Sequence, residues 1–479
     1  MSFVHLLHAE WTKFRTVRSW LIGTVVAILV LILIGLVSAL GSHAVAAGPG
    51  GRPRQVLLGP DGRPVQDDFT FVRRTLTGDG TLTVRVPALT GGETGLEQWA
   101  KAGLMIKANT QPGSPYVAVM RTGAHGARMQ YDFSGDIAGP ASAQWLRLTR
   151  AGSHFTGYAS SDGSTWTRIG TVTVAGIPAT ASAGMFVTSP PVEVYEQHFG
   201  SAEGNMYPTQ ATATFDDLTV AGALGADDWQ GGPLADTPGQ VTRTSDAFTV
   251  SGAGNIAPNH PDGNNAVERT LVGTFAGLTV LVVLGVLFVT SEYRRGMIRT
   301  TFAASPGRVR VLAAKAVVVG AVGFVAGAIG SAIALPLCRH VLIRNGNLVF
   351  AVTTGTEVRL ILGTAAAIAV ASVLALAIGT LLRRSVGAVA AVIVLIVLPY
   401  LLSTAAVVPA DAARWLLRLT PAATFAVQQS VTAYHQVEGV YTPALGFYPL
   451  SPWSGFAVLC LYAAVAFGLA AVVVRRRDA

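Results

Sequence analysis

The stretch TLVGTFAGLTVLVVLGVLFVTSEYRRGMIRTTFAASPGRVRVLAAK occupies residues 270–315. Residues 270–290 contain no Asp, Glu, Lys or Arg. At 1.5 Å rise per residue, such a run is long enough to cross a bilayer as a helix, with every backbone group bonded internally. A dense charged segment follows, with Glu292, Arg294, Arg295, Arg299, Arg308 and Arg310. Tyr293, Met297, Ile298 and Phe302 recur at about a helical turn, and Pro306-Gly307 ends that pattern before the next apolar run. A span, a short charged amphipathic helix and another span are the implied order.

Read outward from there, the same charge-free pattern recurs at 20–41, 316–338, 360–382, 386–408 and 453–474, making six spans. Pro336 and Pro399 are candidate kinks. The 479-residue chain is 51% hydrophobic and 13% charged, with a mean hydropathy of +0.48. Those values exclude an ordinary soluble enzyme, a disordered tail and a collagen-like fibre. Cys338 and Cys460 are too few for a disulfide scaffold and lie in apolar runs.

Basic residues orient the spans. With the N-terminus in the cytosol, fourteen Lys and Arg fall on cytosolic segments and five on the short outer loops and their edges. The excess places both termini and the 475–479 tail inside, and residues 48–269 outside. That insert carries 15 basic and 20 acidic residues, against 19 and 6 elsewhere. The net +8 is therefore an orientation signal, and an acidic soluble part argues against nucleic acid as a partner. Residues 1–47 also admit a cleaved signal peptide ending near Ala44-Val45-Ala46, but the apolar run is about twice as long as such peptides carry.

Residues 1–19 have Phe3, Leu6, Leu7, Trp11, Phe14 and Val17 at helical spacing, with Lys13, Arg15 and Arg18 beside them. This pattern suits a helix lying on the cytosolic membrane surface. A plain extension of the first span is the alternative. Residues 409–452 read as an outer amphipathic or re-entrant segment.

The insert alternates apolar and polar residues in short runs such as TLTVRV (81–86), GLMIKA (103–108), YVAVMR (116–121) and WLRLTR (145–150). Links such as SDGS suit hairpins, so 67–220 reads as an antiparallel β-sandwich. DAFTVSGAGNIAP (246–258) offers one more strand before the second span. Trp99, Trp145 and Trp166 are candidates for stacking on a glycan, although tryptophans on alternating strands usually pack in cores. Glu93, Glu97, Asp132 and Asp136 supply carboxylates, but no glycosidase-like motif surrounds them.

WAKAGLMIKA (99–108), WLRLTRAGSHFTGYASSDGSTW (145–166) and FDDLTV (215–220) resemble the concanavalin-like, lectin-like jelly-roll sandwiches of secreted bacterial proteins. That family's fold brings its first and last strands together, which would let it be inserted between two spans. HAEWTKFRTVRSWL (8–21), TSEYRRGMIRTTFAASPGRVRVLAAKA (290–316) and LSPWSGFAVLCLYAAVAFGLAAVVVRRRDA (450–479) resemble the type-two ABC-transporter permease family. The large insert departs from relatives with a short loop there, so no substrate carries over.

The resemblance implies a pair of permease units, each bound to a cytosolic ABC ATPase subunit. It places the coupling helix at about 291–304 within the 291–315 loop. It makes Glu292, Arg294, Arg295 and Arg299 the ATPase contacts, with Glu10, Lys13 and Arg15 as a second contact. No Gly-Lys dipeptide occurs, so a phosphate-cradling P-loop is absent from this sequence. ATP-Mg and its hydrolysis are therefore expected on the partner, with no cofactor or metal on this chain. No span carries an acidic residue, which disfavours an ion-coupled carrier. The expected fold is a six-span helical membrane bundle with an inserted all-β sandwich. The expected function is an exporter permease, and the alternative is a membrane-anchored surface receptor for glycan or polymer with no transport activity.

Overall fold

A computed structural model describes residues 2–43, 57–93, 95–226, 228–235, 237–259, 266–294, 296–297, 307–431, 433–437 and 441–477. Its six long apolar helices are Arg18–Leu40, Val267–Arg294, Arg308–Arg344, Thr354–Leu382, Ser385–Thr404 and Pro452–Arg476. They match the expected order of spans. The third starts earlier than expected, at Arg308, so Lys315 lies inside a helix and not in the loop assigned to 291–315.

The second and fourth spans form the centre of the bundle, with 56% and 61% of their most apolar windows buried, against 17% for the first. Small residues allow the close approach. A Cβ at Gly285 would stand 2.8 Å from the Ser372 carbonyl oxygen on the fourth span. Pro336 is accommodated within the third span. Pro399 cannot donate to the carbonyl four residues earlier, and the turn before it, Ile393–Val397, widens to π-helical spacing.

The N-terminal helix, Phe3–Thr16, is separate from the first span. Val17 between them is extended at φ −91° and ψ 103°. Its buried face is Leu6, Glu10 and Phe14, at helical four-residue spacing, while Val4 and Trp11 stay exposed. Phe14 packs on Phe288 of the second span, and Leu6 on Val311 and Ala314 of the third.

Residues 65–258 form the antiparallel sandwich, larger than the 67–220 read from sequence. Thr70–Gly91 is a long strand shared by both layers. Its first half pairs with Thr180–Thr188 and its second half with Trp145–Ala151. Lys101–Lys107, Tyr116–Thr122 and Ala127–Tyr131 extend one layer. His154–Ser160 and Thr167–Thr173 extend the other. Leu82, Leu104, Val119, Leu148 and Phe155 are among the side chains that fill the space between. Ala247–Gly252, within the run read as one more strand, pairs with Ala211–Leu224.

The two ends of the insert meet. Val65–Asp67 pairs antiparallel with Ile256–Pro258, Val65 opposite Pro258. Two buried lysines of strand Lys101–Lys107 hold this ribbon. Lys107 Nζ lies 2.7 Å from Asp67 Oδ2, and Lys101 Nζ donates to the Ile256 carbonyl at 2.5 Å. Burial pulls the Lys101 ammonium down to about 7.

Between the fifth and sixth spans, Ala410–Leu419 is an amphipathic helix with Ala413 and Leu417 inward and Trp415 outward. The turn after it, Pro421–Gln428, is buried throughout. Gln428 donates to the hydroxyls of Thr274 and Thr364, joining it to the second and fourth spans. At Gly455 of the last span an added Cβ would stand 2.1 Å from the Ala423 carbonyl oxygen.

Candidate functional site

The charged residues expected at the coupling end converge on a lysine that the sequence reading treated only as an orientation signal. Lys315 Nζ lies 2.7 Å from Glu10 Oε2 and 2.6 Å from Glu292 Oε1. All three side chains are buried. Lys13 completes the group, 2.8 Å from Glu10 Oε1 and 3.4 Å from Glu292 Oε1. Two carboxylates and two ammonium groups thus balance. Burial opposes charge on Lys13, but the Glu10 and Glu292 carboxylates outweigh it and raise its pKa.

The elements supply these groups for local reasons. Glu10 sits on the inward face of Phe3–Thr16, one turn from both Leu6 and Phe14. Glu292 lies in the last turn of the second span, where the helix leaves apolar surroundings. Lys315 lies in the second turn of the third span, and its ammonium also stands 4.9 Å from the centre of the Phe288 ring. One group of charges therefore fastens three helices that are distant in sequence. Burying such a group costs solvation, which close opposite charges must offset.

Glu10 and Glu292, which the resemblance assigned to the ATPase contact, are turned inward toward Lys315 and buried. Arg294 and Arg15 are exposed beside them. Arg295 and Arg299 lie outside the described residues, as does most of the segment expected to form the coupling helix. Tyr293 carries the Arg383 guanidinium 5.0 Å from its ring centre, bringing the start of the 383–384 loop to the same end. A signal for Lys315 was present in the sequence. It stands one residue before a long charge-free run, where a lone lysine needs a partner.

The three sandwich tryptophans differ in environment. Trp99 is buried and stacks on His125 at 4.1 Å, with Arg128 5.4 Å from its centre, so its faces are covered within the chain. Trp145 is half-buried against the Gly163 turn and Arg85. Trp166 lines a groove of about 450 Å³ together with Tyr158, Arg147 and the threonines 81, 83 and 149. Arg147 lies 3.8 Å from the centre of its ring. The carboxylates considered for catalysis are engaged or scattered. Asp136 pairs with Arg128, and the Asp132 carboxyl is raised by burial.

A helical bundle whose N-terminal helix, second span and third span are tied by charge, with a sandwich between its first two spans, defines a polytopic membrane protein carrying an inserted domain. Residues 235–472 match the family model described as ABC-2 family transporter protein. Residues 235–472 thus carry an ABC-2 permease domain, a membrane transport component of a family that normally works with an ATPase subunit. No curated protein matches the chain.

Among solved structures, a functionally unknown protein from Saccharomyces cerevisiae is similar at 14% identity and TM-score 0.24, covering 36% of this chain and 85% of its own. SCP-B, a member of the Eqolisin family of peptidases, is similar at 11% identity and TM-score 0.25, covering 39% and 98%. Scytalido-glutamic peptidase is similar at 9% identity and TM-score 0.26, again covering 39% and 98%. At those scores nothing is carried over to this chain.

Proposed function

We propose that the chain is the membrane-spanning subunit of an ABC exporter, driven by a separate cytosolic ATPase chain that binds ATP-Mg. Both termini face the cytosol, two permease copies or paralogues pair in the lipid bilayer, and the jelly-roll, lectin-like sandwich faces outward to meet a substrate or partner. The observation that carries this reading is the Lys315 cluster. It joins the N-terminal helix to the exit of the second span and the entry of the third. A push on the segment between those spans is thereby delivered to three helices at once. Arg294, Arg295, Arg299 and Arg15 are the residues assigned to the ATPase surface, where charge sets register and association rate. Glu10, Lys13 and Glu292 support that surface from behind.

The test is purification of the full chain, in detergent, from the membranes of its own cells, and a search for a co-purifying ABC ATPase. Recovery of a stoichiometric ATPase supports the reading, and recovery of none overturns it. Protease shaving of intact cells tests sidedness: cleavage within 48–269 is expected, with 291–310 spared.

The groove at Trp166 favours a second reading for the sandwich alone, as a receptor for a surface glycan or polymer. A half-buried indole at a groove lined by hydroxyls and a guanidinium suits contact with a sugar ring. Glycan binding by the full chain with no ATPase recovered would favour this reading over the first.

A further inference from the structure

The sandwich and the bundle enclose a cavity of about 790 Å³, within the range of small-molecule sites. One wall is the Asp61–Pro64 turn of the insert. The other is formed by residues 350–353, 356, 359, 429–431, 433–434 and 448–452, around the starts of the fourth and last spans. Arg63 stands on the first wall and Arg359 on the second. Arg63 reaches across to the Tyr434 hydroxyl at 3.3 Å, and Arg359 is held by the Gln429 carbonyl at 2.7 Å. Apolar surface from Val352, Val431 and Leu450 lines the remainder.

The charge balance favours an anion. Asp61 lies 3.6 Å from Arg63 and offsets part of its charge. Glu268 offsets part of that of Arg359, but its carboxylate is taken up by the Ser430 N–H and hydroxyl and does not line the cavity. Two guanidinium groups thus face one carboxylate. The Thr354–Leu382 and Pro452–Arg477 helices both begin here, adding the partial positive charge of their amino ends. The depth is that of lipid headgroups, because Trp453, next in the chain to the cavity's Pro452 and in the first turn of the last span, is 60% exposed.

We propose that this cavity binds the phosphate-bearing headgroup of an anionic membrane lipid, bridging Arg63 of the insert and Arg359 of the bundle. The lipid acts as a removable tie between the two parts. This inference needs only the membrane spans and is independent of the ATPase reading.

Native mass spectrometry of the full chain released from micelles tests it, by titration with phosphatidylglycerol, phosphatidylcholine or glycerol 3-phosphate. Phosphatidylglycerol should be retained as one tight adduct, with phosphatidylcholine binding about tenfold more weakly. Arg359→Gln and Arg63→Gln should each weaken phosphatidylglycerol binding about tenfold. Arg63 is exposed, so its variant tests the site even if Arg359→Gln fails to fold. Equal retention of both lipids, or unchanged binding in Arg63→Gln, overturns the proposal. Glycerol 3-phosphate binding as tightly as the lipid also overturns it and assigns the site to a soluble phosphate.

Discussion

Lys315 Nζ lies 2.6 Å from Oε1 of Glu292, 23 residues earlier in the chain and on the preceding span. The contact closes the loop between these helices at its base. Whatever force reaches residues 295–307 is therefore resolved against a fixed ionic hinge and not against two independent helix ends.

Replacing Lys315 with Met leaves Glu10 and Glu292 buried with only the half-exposed Lys13 beside them. Removing one partner of a buried ionic group costs about 3–5 kcal/mol. We expect a matching drop in the unfolding midpoint of the full chain in detergent. The triple variant Glu10→Gln, Glu292→Gln, Lys315→Met should recover much of it. A single variant as stable as the parent would show that the cluster contributes nothing to folding.

Charge reversal of Arg294, Arg295 and Arg299 should abolish ATPase co-purification and leave the unfolding midpoint of the full chain unchanged. Retained co-purification would move the docking surface elsewhere on the chain.

Lys101 gives the sandwich a distinct pH response. Its ammonium titrates near 7 when folded and near 10.5 when unfolded, so between those values the unfolded chain binds more protons. Stability should therefore rise with pH across that window, by at most about 1.4 kcal/mol per pH unit from this group. It should show no further change from Lys101 below the folded value. Lys101→Met should flatten the rise, measured as the unfolding midpoint from pH 7 to pH 10. An unchanged slope would mean that Lys101 keeps its proton in the fold.

Gly455→Val should break the seat of the buried turn Pro421–Gln428, because the last span touches the Ala423 carbonyl there. We expect a loss of about 1–3 kcal/mol, typical of overpacking. Gly468→Val on the same helix has open space and should be tolerated. Equal behaviour of the two variants would show that the contact is not close in the membrane.

The spans were legible because a charge-free run of that length has few other uses. The sandwich was legible through alternation and turn residues, yet the stretch between Leu224 and Ala247 was not. Glycines and prolines interrupt 221–246, and strands as short as Gln230–Pro233 carry no period-two signal. Trp99 shows the limit of reading side chains from a strand pattern. Its alternation fits either face, and only the fold places His125 and Arg128 over it. Lys315 escaped for a related reason, since its partners come from residues 10 and 292 and no local spacing connects them.

The pairing of Val65 with Pro258 leaves the two strand ends about 5 Å apart, the width of one strand spacing. A domain whose entrance and exit are neighbours can be spliced into a short hairpin connection without rethreading anything else. The bundle would tolerate its excision over a brief peptide bridge, and an unrelated host loop of similar width would accept it as a graft. Acquisition by a single recombination event is thus mechanically simple, and the ancestry of the two parts need not be shared.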